Sequence, residues 1–153
     1  MTTVVNVRSD LFKSAADPLG PEPLPERVRG RPIVAIGNIA NGVGELTGSR
    51  YHLANLPSQA ILLPATFFKV DTWGFADIRI GTFSDPAALL SVLRSAAAIQ
   101  QPIANGDARH GQPLWQALGL AADPGGEIGL FYHAIATASG AGTSRFAIHY
   151  LFR

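Results

Sequence analysis

The sequence predicts a mainly β protein: an antiparallel β-sandwich or jelly-roll-like barrel, with one short helix at about 85–100 and an extended N-terminal arm. Three observations carry this reading. Between Pro32 and Phe83, short β-branched and aromatic runs follow one another, each closed by glycine or proline. Strands so closely spaced leave no room for crossover helices. Near the C-terminus, Phe146, Ile148, Tyr150 and Phe152 alternate with Ala147, His149 and Leu151, the period of two expected of a half-buried strand. Before residue 32, Pro18, Pro21, Pro23 and Pro25 fix an extended backbone and forbid a helix. The chain therefore divides into an arm, residues 1–31, and a sandwich domain, residues 32–153.

Taken in order, the arm begins with a short β-like stretch at Val4, Val5 and Val7 and ends on Glu26, Arg27, Arg29 and Arg31. Pro32 to Ile39 reads as a strand, and Asn41-Gly42 as a tight turn. In the next strand, Tyr51 and Leu53 alternate with His52 and Ala54. Ala60 to Leu63 is a brief apolar run closed by Pro64. Thr66 to Thr72 is aromatic and β-branched, and Trp73-Gly74 makes a corner. From Phe75 to Phe83, Ala76, Ile78 and Ile80 are set against Asp77, Arg79 and Gly81. Ser84 or Asp85 can cap a helix with Pro86 in its first turn, an apolar stripe at Leu89, Leu90, Val92, Leu93, Ala96 and Ala97, and a stop before Pro102. Leu114 to Leu118 reads as one helical turn stopped by Gly119. Glu127 to Ala138 and Thr143 to Phe152 read as the two strands of a closing hairpin, with Ser139 to Gly142 at its tip.

Composition narrows the function. At 153 residues the chain is long enough for a core without covalent staples, and it has no cysteine for disulfides or thiolate zinc sites. A formal charge of +1 supplies no general field toward nucleic acid or an anionic membrane. No apolar run reaches the roughly 18 residues of a membrane span, and Met1 to Lys13 lacks the apolar core of a secretory signal. Charged residues make up only 15%, as expected where much of the exterior meets other subunits.

Motifs for chemistry are sparse. There is no G-x-S-x-G elbow around Ser139 or Ser144. Gly42, Gly44 and Gly48 miss both the dinucleotide and the phosphate-loop spacing and read as a turn. His52, His110, His133 and His149 show no metal-ligand spacing; His133 and His149 can face each other only across the closing hairpin. Asp107, Arg109 and His110 form the best-placed small polar cluster, although a solvated loop explains them as well. Asp71 and Asp77 bracket Trp73 as a conceivable acid pair, with turn and strand-edge positions as the plainer reading. Trp73 and Trp115 read as core anchors. No catalytic, cofactor or metal residue is assigned.

Two stretches resemble a family. One is Leu56-Pro57, then Ala60-Ile61-Leu62-Leu63-Pro64-Ala65, an aromatic strand, and Asp77-Ile78-Arg79-Ile80-Gly81 followed by Asp85-Pro86. The other is Pro113-Leu114-Trp115 and Leu118-Gly119-Leu120 before Asp123-Pro124-Gly125-Gly126 and the segment Ala138-Ser139-Gly140-Ala141-Gly142. Together they resemble the capsid decoration, or cement, proteins of tailed phages over roughly residues 32–153. The resemblance implies a β-sandwich without enzymatic activity or cofactor. It would bind the outside of an assembled shell of major capsid protein, self-associate as a trimer or similar oligomer, and reside on the virion after synthesis in the bacterial cytoplasm. The arm lies outside the resemblance. Its expected contacts with the shell or a neighbour are Phe12, Leu24, Arg27, Arg29 and Arg31. Two other readings compete. One is a head–tail connector, tail or receptor-binding tip protein, for which Trp73 or Tyr132 would serve as an exposed glycan platform. The other is a small ligand-binding barrel or enzyme built around the histidines.

Overall fold

The computed structural model describes residues 2–8 and 32–152. Ten strands run in chain order: β1 Asn6–Arg8, β2 Pro32–Asn41, β3 Arg50–Pro57, β4 Ile61–Leu62, β5 Phe67–Lys69, β6 Asp77–Gly81, β7 Leu90–Leu93, β8 Ile99–Gln100, β9 Glu127–His133 and β10 Gly142–Leu151. One sheet has the order β1-β3-β9-β6-β7; the other has β2-β10-β5-β8, with β4 also on β10. The two five-stranded sheets stack as an open sandwich, not a closed barrel. Among the described residues every strand pairing is antiparallel except β1 on β3. β1, from the start of the arm, pairs with β3 and so joins the first sheet; residues 9–31 of the arm lie outside the described residues.

The alternating sequence explains which side chains enter the core. Ile78 and Ile80 of β6, Ile128, Leu130 and Tyr132 of β9, and Ser144, Phe146 and Ile148 of β10 all point inward and are buried. In β3 the alternation changes phase at a bulge between His52 and Ala54. Tyr51 and Leu53 are buried ahead of it, Ala54 and Leu56 after it, since one extra residue shifts every later side chain to the other parity. The two sheets meet through aromatic rings. Phe68 of β5 stands edge-on to Tyr132 of β9 at 6.1 Å, and Trp73 stacks on Tyr132 at 4.8 Å and meets Tyr51 edge-on at 5.0 Å. Such pairs add to the area that they bury.

Residues 85–100 are not a helix. Leu90–Leu93 is β7, Arg94–Ala96 a 3-10 turn, and Ile99–Gln100 is β8. The expected cap residues close a turn instead: the Thr82 hydroxyl accepts the Asp85 N–H at 3.0 Å and the Asp85 carboxylate accepts the Ala87 N–H at 3.2 Å. The apolar stripe then pairs along β6, with Leu90 opposite Ile80 and Val92 opposite Ile78. Tertiary pairing overrides a modest helical preference. The short helical turn at the next site does form, as α1, Leu114–Ala117; its start is tied to the β3–β4 turn by the Leu114 N–H on the Ala60 carbonyl at 2.7 Å.

The closing hairpin is also absent. β9 ends at His133, and β10 pairs in the other sheet. The connecting backbone bonds to other loops: Ala138 N–H to the Glu45 carbonyl at 2.9 Å and Ser139 N–H to the Gly74 carbonyl at 2.9 Å. The crossing is locked by Asn41, 5% exposed, whose amide donates to Gly140 at 2.9 Å and accepts the Gly74 N–H at 3.0 Å. Only glycine fits at 74, where a Cβ would lie 2.2 Å from both Asn41 Nδ2 and the Gly140 carbonyl. Among the described residues no helix is long and apolar enough to cross a membrane.

Candidate functional site

The sites that the sequence singles out come apart in three dimensions. His133 and His149 sit on different sheets and do not face each other. His149 is held by its backbone, its N–H donating to the Thr66 hydroxyl at 3.0 Å. Asp107 and Arg109 form an ion pair at 3.1 Å, and Arg109 also donates to the carbonyls of Leu89, at 2.9 Å, and Pro102, at 2.5 Å. Arg109 is thus a clamp that holds its loop against the sheet. Its hydrogen bonds keep the Asp107 carboxyl below the usual carboxylate range, while His110 stays exposed. Trp73 and Tyr132 are 2% and 1% exposed, so neither can be a glycan platform. Trp115 is half-buried, Asp71 exposed and Asp77 half-buried. Among the described residues no three metal-ligating side chains cluster. Phe12, Leu24, Arg27, Arg29 and Arg31 lie outside the described residues.

A different cluster forms on the outer face of the first sheet. Because β3 and β9 pair with Arg50 opposite His133 and His52 opposite Phe131, these outward side chains fall into adjacent rows. The His52 ring stacks on Phe131 at 4.3 Å, 15° from parallel, and its Nε2 lies 2.8 Å from Asn55 Oδ1. Phe83, just past β6, meets Phe131 edge-on at 5.7 Å, and the Arg50 guanidinium lies 4.2 Å above the Phe83 ring. Asn6 of β1 pairs with Arg50 and closes the near side. Asn6, Val7, Arg50, His52, Phe83 and Phe131 line a shallow groove of about 260 Å³. The close approach needs glycine at 129, where a Cβ would stand 2.9 Å from the Phe131 ring and 3.1 Å from His52 Nε2.

The electrostatics of this face are one-sided. Arg50 forms no ion pair among the described residues, and its Nε is buried without a hydrogen-bond partner. Beside it, His133 is buried, with Nε2 2.7 Å from the Thr82 carbonyl. A carbonyl only accepts, so Nε2 carries the proton. Burial, helped by the Arg50 charge, holds His133 below the ordinary histidine range, against the opposing pull of the Thr82 carbonyl and Asp85. His133 is therefore a neutral support at the end of β9, and Arg50 is the charge on offer.

Sequence reasoning named His52 and His133 but not Arg50, Phe83 or Phe131. The signal was present as i, i+2 pairs on two strands, Arg50 with His52 and Phe131 with His133, but it had meaning only once the strands were known to be neighbours. Comparison of the chain with protein-family models, with curated proteins and with solved structures returns no match.

Proposed function

We propose that this chain is a structural virion protein that binds the outside of an assembled phage capsid and stabilises it. The reading joins the family resemblance over residues 32–153 to one surface. Strand β2 ends its sheet and turns Pro32, Val34, Ile36, Asn38 and Ala40 outward, all exposed and none charged. Val34 is 44% and Ile36 55% exposed. A soluble monomer commonly guards such an edge with charge; ten residues with an uncharged, largely apolar outward row fit a strand that meets another protein.

The role follows from mass action. A protein that binds only the assembled shell stabilises it against disassembly, and weak contacts add up when one oligomer spans several shell subunits. The major capsid protein and further copies of this chain are the partners, on the capsid surface. Phe12 and Leu24 are proposed as apolar anchors of the arm, and Arg27, Arg29 and Arg31 as the charges that meet acidic shell residues.

The decisive experiment is quantitative mass spectrometry of purified virions. A copy number within a few-fold of the major capsid protein supports decoration. A few per cent or less transfers the protein to the connector or tail, and absence from the particle ends the structural reading.

A further inference from the structure

The geometry points to the groove of Asn6, Arg50, Phe83 and Phe131 as a binding site for an acidic sugar, a six-membered ring bearing one carboxylate. The charge of the site comes first. The Arg50 guanidinium carbon lies 4.2 Å over the Phe83 ring, and its Nε is buried without a hydrogen-bond partner among the described residues. A guanidinium presents a planar fork whose best partner is a carboxylate bound through both oxygens.

The number of charges selects the anion. Among the described residues one guanidinium lines the groove, with no lysine and no glycine-rich backbone nest. His133 is buried and does not line the groove, so it offers the ligand no second cation. Asp85 acts on His133 but does not line the groove, and its carboxylate accepts the Ala87 N–H at 3.2 Å within its own turn. A monoanion is balanced by Arg50; a phosphate dianion is not.

The walls select the body of the ligand. Phe83 and Phe131 meet at 74° and form an apolar corner, and Phe83 remains 59% exposed. The C–H face of a pyranose packs on such rings, and Asn6 and His52 complete the lining. A volume of about 260 Å³ suits one ring, not an extended chain. The site stands apart from the outward row of β2, which lies on the other sheet.

The test is titration of the full chain with glucuronate and N-acetylneuraminate, followed by NMR shifts of Arg50, Phe83 and Phe131, with glucose, acetate and glucose 6-phosphate alongside. Saturable binding at about millimolar concentration is expected for the two acidic sugars. Arg50→Gln should weaken it at least tenfold, Arg50→Lys nearly as much, because the charge stays but the fork is lost, and Phe83→Ala several-fold. Arg79→Ala, on the same sheet face outside the groove, should change nothing. Thermal melts of each variant separate lost binding from lost fold, and Arg50→Lys answers even if Arg50→Gln unfolds. Retention on an immobilised acidic polysaccharide as well as binding of the free sugars identifies a glycan as the source; the free sugars alone identify a soluble sugar acid. Acetate binding as well as the sugars, tighter binding of glucose 6-phosphate, displacement of the sugars by an acidic peptide with higher affinity, or no response to either acidic sugar would each overturn the assignment.

Discussion

Tyr132 and Ser144 meet at 2.6 Å in the core, and they belong to different sheets. The Ser144 hydroxyl donates its single proton to the Lys69 carbonyl at 2.9 Å, so the Tyr132 phenol donates to Ser144. Burial pushes the phenol further above its ordinary range and it stays protonated as a donor. Two predictions of unequal size follow from that wiring. Tyr132→Phe removes one donor and leaves Ser144 bonded to Lys69, for about 0.5–1.5 kcal/mol. Ser144→Ala strands the phenol and the bond to Lys69 at once, for about 1–3 kcal/mol. Urea midpoints of the two variants decide the matter; the reverse order would mean that the hydroxyls are wired the other way.

Asn41 ties the corner at Gly74 to the crossing loop at Gly140. Asn41→Ala leaves the buried Gly74 N–H without its 3.0 Å acceptor, at a cost of roughly 1–3 kcal/mol. Asn41→Asp keeps that acceptor but sets a carboxylate oxygen against the carbonyls of Gly140 and Gly42, which now receive the amide at 2.9 and 3.0 Å. Protonation would restore a donor there. The Asp variant should therefore regain stability, relative to the parent chain, as pH is lowered, and equilibrium unfolding at several pH values will show whether it does.

His133 makes the fold acid-sensitive. Its folded pKa is lowered, chiefly by burial, so the unfolded chain takes up the proton more readily than the folded one. The contribution is complete above the unfolded value of about 6.5 and is lost as pH falls through the lowered folded value. His133→Gln can still donate an amide N–H toward the Thr82 carbonyl and cannot titrate. Stability measured from pH 7.5 downward should decline less steeply in that variant, and identical slopes would show that His133 is not the sensor.

The outward row of β2 separates folding from assembly. Val34 and Ile36 are exposed on the free chain, so Val34→Asp with Ile36→Asp should shift stability by no more than about 0.5 kcal/mol each, as surface changes do. Binding to empty capsid shells should fall at least tenfold. Sedimentation of the double variant with purified shells reads this directly; full co-sedimentation would remove β2 from the proposed interface.

Much of the strand content was legible locally. Ile78 and Ile80, or Phe146 and Ile148, are inward because side chains alternate along any strand, and that rule needs no knowledge of the neighbour. The two failures share a cause. Leu89 to Ala97 has a helical stripe, but Leu90 and Val92 equally suit a strand, and β6 was waiting beside them. Glu127 to Phe152 has the pattern of a hairpin, but nothing in the pattern states that β9 and β10 enter different sheets. The candidate groove was less legible still, since Arg50, Phe83 and Phe131 are far apart in the chain and unremarkable one by one.

By itself the sequence determined that the chain would be mainly β, with apolar faces at period two, breaks at glycine and proline, no cysteine cross-link and little net charge. Those properties are set by bond geometry and by composition, within a few residues of each position. Only the tertiary structure decided which strands pair, that Asn41 must stitch Gly74 to Gly140, and that Arg50 would lie over Phe83 without a counter-charge. The last two depend on contacts between residues more than thirty positions apart, where the free energy lies in closing a particular loop against all others and no local period records the choice.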